Sequence, residues 1–69
     1  MTDTERLNRF LAQEGIGYKA LAQKLHFHRT YAWKVVRGKQ PVSANFRFRF
    51  ATVFGQYVEK AVFGESILT

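Results

Sequence analysis

Cysteine is absent from the 69-residue chain, which excludes a disulfide framework and any thiolate-bound zinc, the two devices that most often hold together folds of this size. Proline occurs once and glycine five times, so there is no room for a low-complexity tract or a linker. The apolar runs are only a few residues long, too short to span a bilayer. The opening stretch MTDTERLNRF has neither the basic start nor the apolar core of a signal peptide, and the expected location is the cytoplasm. What remains is hydrocarbon: 46% of residues are hydrophobic and seven are Phe, enough for three or more packed elements. A chain of this size buries only about 60% of its unfolded surface, so one small domain over 1–69 is expected.

Acidic residues are scarce in one place in particular. Residues 1–15 carry Asp3, Glu5 and Glu14 against Arg6 and Arg9, and residues 51–69 carry Glu59 and Glu65 against Lys60. Between them stand Lys19, Lys24, Arg29, Lys34, Arg37, Lys39, Arg47 and Arg49 without a single carboxylate. The overall charge of +6 is therefore concentrated in the middle of the chain, a pattern that suits a polyanion such as nucleic acid. A surface that is basic for solubility alone has the same net charge, but would not need a stretch this long free of acids.

Five helices are predicted. Thr2 with Glu5 fits a capping box, Leu7, Phe10 and Leu11 share a face, and Gly15 ends a helix over 3–14. Gly17 opens a second over 18–25, with Leu21, Ala22 and Leu25 on one side. After a turn at His26 and Phe27, a third starts with His28 at or near its N-cap and runs to Val36, stopped by Gly38. Pro41 and Ser43 announce a fourth, with Phe46, Phe50, Val53 and Phe54 on one side and Gly55 at its end. A fifth, from Gln56 to Phe63, shows Tyr57, Val58, Ala61 and Val62. The stretch Phe46-Arg47-Phe48-Arg49-Phe50 alternates with period two and in isolation reads as a strand. Helix is preferred there, because Ser43 caps it, Phe46, Phe50 and Phe54 recur at every fourth position, and a lone strand would have no partner. The fold class is all-α.

On the third helix, Arg29, Trp33, Arg37, Thr30 and Lys34 fall within about 140° of arc, with Tyr31, Val35, His28, Ala32 and Val36 on the other side. A basic stripe is also what the solvated face of an amphipathic helix presents. Two features favour a binding surface: no acid alternates with the bases for i,i+4 pairing, and a Trp in mid-stripe needs a contact. Leu21, Ala22 and Leu25, the short turn, and then Ala32, Val35, Gly38 and Lys39 resemble the helix-turn-helix of the phage-repressor-like (Cro/C1, XRE) family. The resemblance covers residues 3 to about 62, with the motif at about 17–37 and a C-terminal helix and tail at about 56–69. Departures are His26 at a turn position usually held by Gly, Tyr18 where Gln is frequent, a small Ala32, and Arg47 where Leu is common.

The resemblance implies a compact five-helix lambda-repressor-like domain and a bacterial or phage-encoded, nucleoid-associated regulator of transcription, expected to be a repressor. It puts base reading on His28, Arg29, Thr30, Trp33 and Lys34. Phosphate binding falls to Tyr18, Lys19, Arg37, Lys39 and Ser43, while Arg47 and Arg49 either join them or shield the fourth helix. Phe63, Ile67 and Leu68 are apolar beyond what a short tail needs. They either pack on the first helix or form a homodimer contact, which would imply a palindromic operator in double-stranded DNA.

Other chemistry finds little support. His26 and His28 have no Cys and no nearby carboxylate for a metal site or for general-base catalysis, so no metal, catalytic residue, cofactor or small-molecule substrate is expected. Gly15-x-Gly17 lacks the rest of any phosphate-cradling motif. Two alternatives stay open: a single-stranded nucleic-acid binder that stacks bases on the Phe/Arg run, and an antitoxin- or adaptor-like interaction module on the same scaffold.

Overall fold

In a computed structural model that describes residues 2–64, five helices follow in order: α1 (Asp3–Glu14), α2 (Tyr18–Leu25), α3 (Arg29–Val36), α4 (Ala44–Phe54) and α5 (Gln56–Phe63). No strand occurs among the described residues, and the all-helical class expected from the sequence is what the structure has. Local chemistry sets the boundaries. The Thr2 hydroxyl accepts the Glu5 N–H at 3.1 Å while the Glu5 carboxylate accepts the Thr2 N–H at 2.9 Å, a complete capping box at the start of α1. At its end Gly15 is left-handed, with φ 68°, and Ile16 N–H donates to the Leu11 carbonyl.

The end of α2 copies that geometry without a glycine. His26 sits at φ 60°, the one non-glycine residue with positive φ among those described, and Phe27 N–H closes the turn on the Ala22 carbonyl at 3.0 Å. The conformation is reinforced from a distance: Arg49 on α4 donates to the Leu25 and His26 carbonyls at 3.2 and 3.1 Å, and its guanidinium lies 4.8 Å from the centre of the Phe27 ring. The final carbonyls of α2, which have no partner within the helix, thus receive a cation where the helix dipole favours one.

Ser43 Oγ caps α4 by accepting the Phe46 N–H at 3.1 Å, and the alternating Phe/Arg run lies within that helix. Phe46 and Phe50 have no exposure, whereas Phe48 is 71% exposed. Period two in the sequence is therefore overridden by the four-residue spacing that reaches the core. Gly55, at φ 100° and ψ 149°, separates α4 from α5 in a conformation open essentially to glycine alone.

The core gathers Leu7, Leu11, Leu21, Leu25, Val35, Phe46, Phe50 and Phe63. Phe50 is its aromatic centre, edge-on to Phe10 at 5.3 Å and to Phe63 at 5.2 Å. Phe27, half-buried beneath the α2–α3 turn, stacks on Phe46 with an interplanar angle of 1°. Buried Ala22 and Ala32 keep small side chains on the two helices, α2 and α3, that pack together most extensively. The radius of gyration, 11.0 Å, is about that of a compact domain of this length. No helix among the described residues is long and apolar enough to cross a membrane.

Three expectations are corrected. Val53, assigned to the inner side of α4, is 42% exposed in the last turn of that helix, just before the chain turns at Gly55. Tyr57, counted among the apolar residues of α5, is 87% exposed in that helix's first turn. Phe63, a candidate dimer contact, is 3% exposed and belongs to the core of its own chain. Ile67 and Leu68 lie outside the described residues.

Candidate nucleic-acid interface

The first residue of the surface is His28. It caps α3, its Nδ1 accepting the Thr30 N–H at 3.0 Å, which leaves Nε2 as the ring's outward polar atom. Beyond the cap the two arcs separate as the helix geometry requires. Arg29, Thr30, Lys34 and Arg37 are exposed and Trp33 is half-buried, while Ala32 and Val35 are buried and Tyr31 and Val36 half-buried. His28, placed by angle on the inner arc, is exposed, because a capping residue precedes the helix and does not follow its rotation.

Trp33 has a contact, and the fold provides it. The Arg37 guanidinium lies 5.7 Å and the Lys39 ammonium 5.8 Å from the centre of its ring. These cation–π distances hold two flexible cations beside the stripe. From α2, Tyr18 joins Arg29, Thr30 and Trp33 around a surface depression. Lys19 and Gln23 border a second one with Phe27, His28 and Arg29. The packing of α2 on α3 therefore brings together Tyr18, Lys19, His28, Arg29, Thr30 and Trp33. Gln23 was not singled out from the sequence. Its amide can bond phosphate or base edges, and its place one helical turn beyond Lys19 was the only signal for it.

Ser43 is not part of that group. Its hydroxyl caps α4 and lies 3.4 Å from the Tyr31 hydroxyl, on the inner side of α3, so the expected phosphate role gives way to a structural one. Arg47 and Arg49 are likewise engaged within the fold. Arg47 pairs with Glu59 at 2.6 Å, donates to the Gly64 carbonyl at 3.0 Å and covers the Phe63 ring. Arg49 closes the end of α2.

The ion pairs sharpen the contrast. Among the described residues they are Arg6–Asp3 and Arg47–Glu59, and neither includes a cation of α2, α3 or the loop after α3. Lys19, Lys24, Arg29, Lys34, Arg37 and Lys39 are all exposed. Their charges are uncompensated within the described chain, a condition that favours a polyanion ligand. No group of three or more His, Cys, Asp or Glu side chains suited to a metal ion comes together among the described residues. Comparison of the chain with protein-family models, with curated proteins and with solved structures found no match.

Proposed function

We propose that the chain is a sequence-specific duplex DNA-binding protein that regulates transcription, acting as a repressor, with α2 and α3 forming a helix-turn-helix of the phage-repressor-like kind. The observation that carries the proposal is the outward stripe of α3, where Arg29, Lys34 and Arg37 are exposed and without a carboxylate partner among the described residues. A helix about two turns long with such a stripe suits the major groove, where Arg reads guanine O6 and N7. Arg29, Thr30 and Lys34 read bases, assisted by His28 Nε2, and Tyr18, Lys19, Arg37 and Lys39 position the backbone. The role is binding, without catalysis or cofactor.

The proposal includes a homodimer on a palindromic operator, with the two copies of α3 about 34–36 Å apart. Exposed Phe48 on α4 supports a protein contact there, in place of the buried Phe63. The duplex reading is preferred to single-strand stacking because Phe46 and Phe50 are buried and Arg47 and Arg49 are engaged, which leaves Phe48 as the one exposed ring of that run.

Selection of bound sequences from a random duplex pool tests the proposal. Enrichment of a two-fold symmetric consensus, with a salt dependence of log K against log salt of about −5 or steeper from Lys19, Arg37 and Lys39 of the two copies, is expected. Absence of enrichment, or tighter binding to single strands than to duplexes, would overturn it.

A further inference from the structure

A groove runs between α1 and α5 and takes no residue from α2 or α3. Its apolar part is Phe10, Val58 and Val62, which are half-buried and packed against the core. Two cations, Arg6 and Arg9, line it with one acid, Glu14. Arg9 is exposed and pairs with no carboxylate among the described residues. The described chain stops beside this groove. Arg6 Nη1 donates to the Phe63 carbonyl at 3.1 Å and lies 3.8 Å from where a Cβ would stand on Gly64. Gly64, at φ 82° and ψ 161°, ends α5 in a conformation open essentially to glycine alone.

The residues that follow Gly64 are Glu65, Ser66, Ile67, Leu68 and Thr69, an acid and then two branched aliphatic side chains. We propose that the α1–α5 groove is the docking site of this chain's own residues 65–69, with Glu65 beside Arg6 and Arg9 and with Ile67 and Leu68 against Phe10, Val58 and Val62. The lengths agree. From Arg6 to Gln13 the α1 wall of the groove is about 10 Å long, and an extended chain covers about that distance in three or four residues, which brings Ile67 and Leu68 onto the apolar part. The charges agree as well, since an acid enters where cations outnumber the single carboxylate. Tethering decides between this chain and a second copy as the source of the segment. A segment joined to the groove through Gly64 is present at an effective concentration in about the millimolar range, which the same segment of another molecule does not match in dilute solution. Docked in this way, Ile67 and Leu68 serve the fold of their own chain, as Phe63 does, and a two-fold contact is left to Phe48. The proposal does not depend on the duplex-DNA reading.

The chain has no cysteine, so a pair introduced by substitution reports a single proximity. Gln13→Cys with Thr69→Cys places one thiol at the end of the groove away from Gly64 and the other just beyond Leu68. Gln23→Cys with Thr69→Cys is the control, since Gln23 is exposed on α2, which packs on α3 and α4 and not on α5. Both are full chains, checked for helicity by circular dichroism. Under mild oxidation in dilute solution, the Gln13 pair should close a disulfide within one chain about tenfold faster than the Gln23 pair, the advantage of a docked segment over a free one. Adding Ile67→Asp and Leu68→Asp should remove the difference between the pairs. In the cysteine-free chain the same two changes should lower Tm by several degrees. Equal rates for the two pairs, or a Tm unmoved by the aspartates, would overturn the docking. Disulfides formed between chains by the Gln13 pair would overturn it too and assign the groove to a second copy.

Discussion

At the scale of single residues, His26 is the most exacting position. A left-handed conformation costs an L-residue about 1–2 kcal/mol, yet here it lets the Phe27 N–H close α2 on the Ala22 carbonyl and sets the His26 carbonyl to accept from Arg49. His26→Gly keeps those bonds and removes the strain. It should raise stability by about 1 kcal/mol, seen as a rise of several degrees in Tm, and an unchanged or lower Tm would show the imidazole itself to be needed. On the binding surface, Arg29 and Lys39 are expected to behave differently. Arg29→Ala should cost about 1–3 kcal/mol on the selected duplex and relax preference at one base pair, whereas Lys39→Ala should weaken selected and random duplexes alike. Fluorescence anisotropy with both duplexes separates the two. Equal losses in the two variants would show that Arg29 does not read a base.

At the scale of the helix, end contacts matter more than helix propensity, since eight residues in isolation do not hold together. Arg49 joins α4 to the end of α2 through two charge-assisted bonds and the Phe27 ring. Arg49→Met retains the aliphatic stem and loses both bonds, with an expected cost of about 1–2 kcal/mol in urea unfolding. Affinity for the selected and for the random duplex should both stay unchanged, which a phosphate-binding or base-reading Arg49 would not allow. At the other end of the chain, the Thr2 backbone N–H and then its hydroxyl donate to the Glu5 carboxylate and hold its pKa below the usual carboxylate value. A lowered pKa stabilises the fold while the group is ionised, and that contribution is lost as pH falls through the carboxylate range and below. Urea midpoints of wild type and Glu5→Gln should therefore differ near neutrality and converge at acid pH. Caps of this kind are legible in the sequence because both partners lie within three residues, as Thr2 and Glu5, Ser43 and Phe46, and Gly15 show. The ranges of α1, α2 and α5 were readable from such signals and apolar spacing alone. The work of Arg47 and Arg49 was not, since their partners are separated by 12 to 24 positions and no local pattern encodes them.

At the scale of the whole molecule, the same limit explains Phe63. Its apolar neighbours left packing on the first helix and an outward dimer contact both open, and whether it faces in or out is decided by how α5 returns to α1 and α4. Phe50, by contrast, was legible as core from its spacing with Phe46 and Phe54. It touches the rings of Phe10, Phe54 and Phe63 and so joins three helices. A chain of this length has about 3–10 kcal/mol of stability in total, and Phe50→Ala removes about 3–5 kcal/mol of it. Calorimetry should show Tm lowered by about 15 °C or more; a drop of only a few degrees would mean that the surrounding rings close over the gap. The stripe on α3 was legible too, because an uninterrupted series of cations is a property of the sequence before it is one of the surface. The Arg49 link has a last consequence for molecular recognition. With the corner between α2 and α3 clamped to the Phe core, the proposed DNA-binding surface is already shaped, and no ordering of these helices is expected on binding. Titration calorimetry across temperature should accordingly give a heat-capacity change set by the contact area alone, without the larger increment that coupled folding adds.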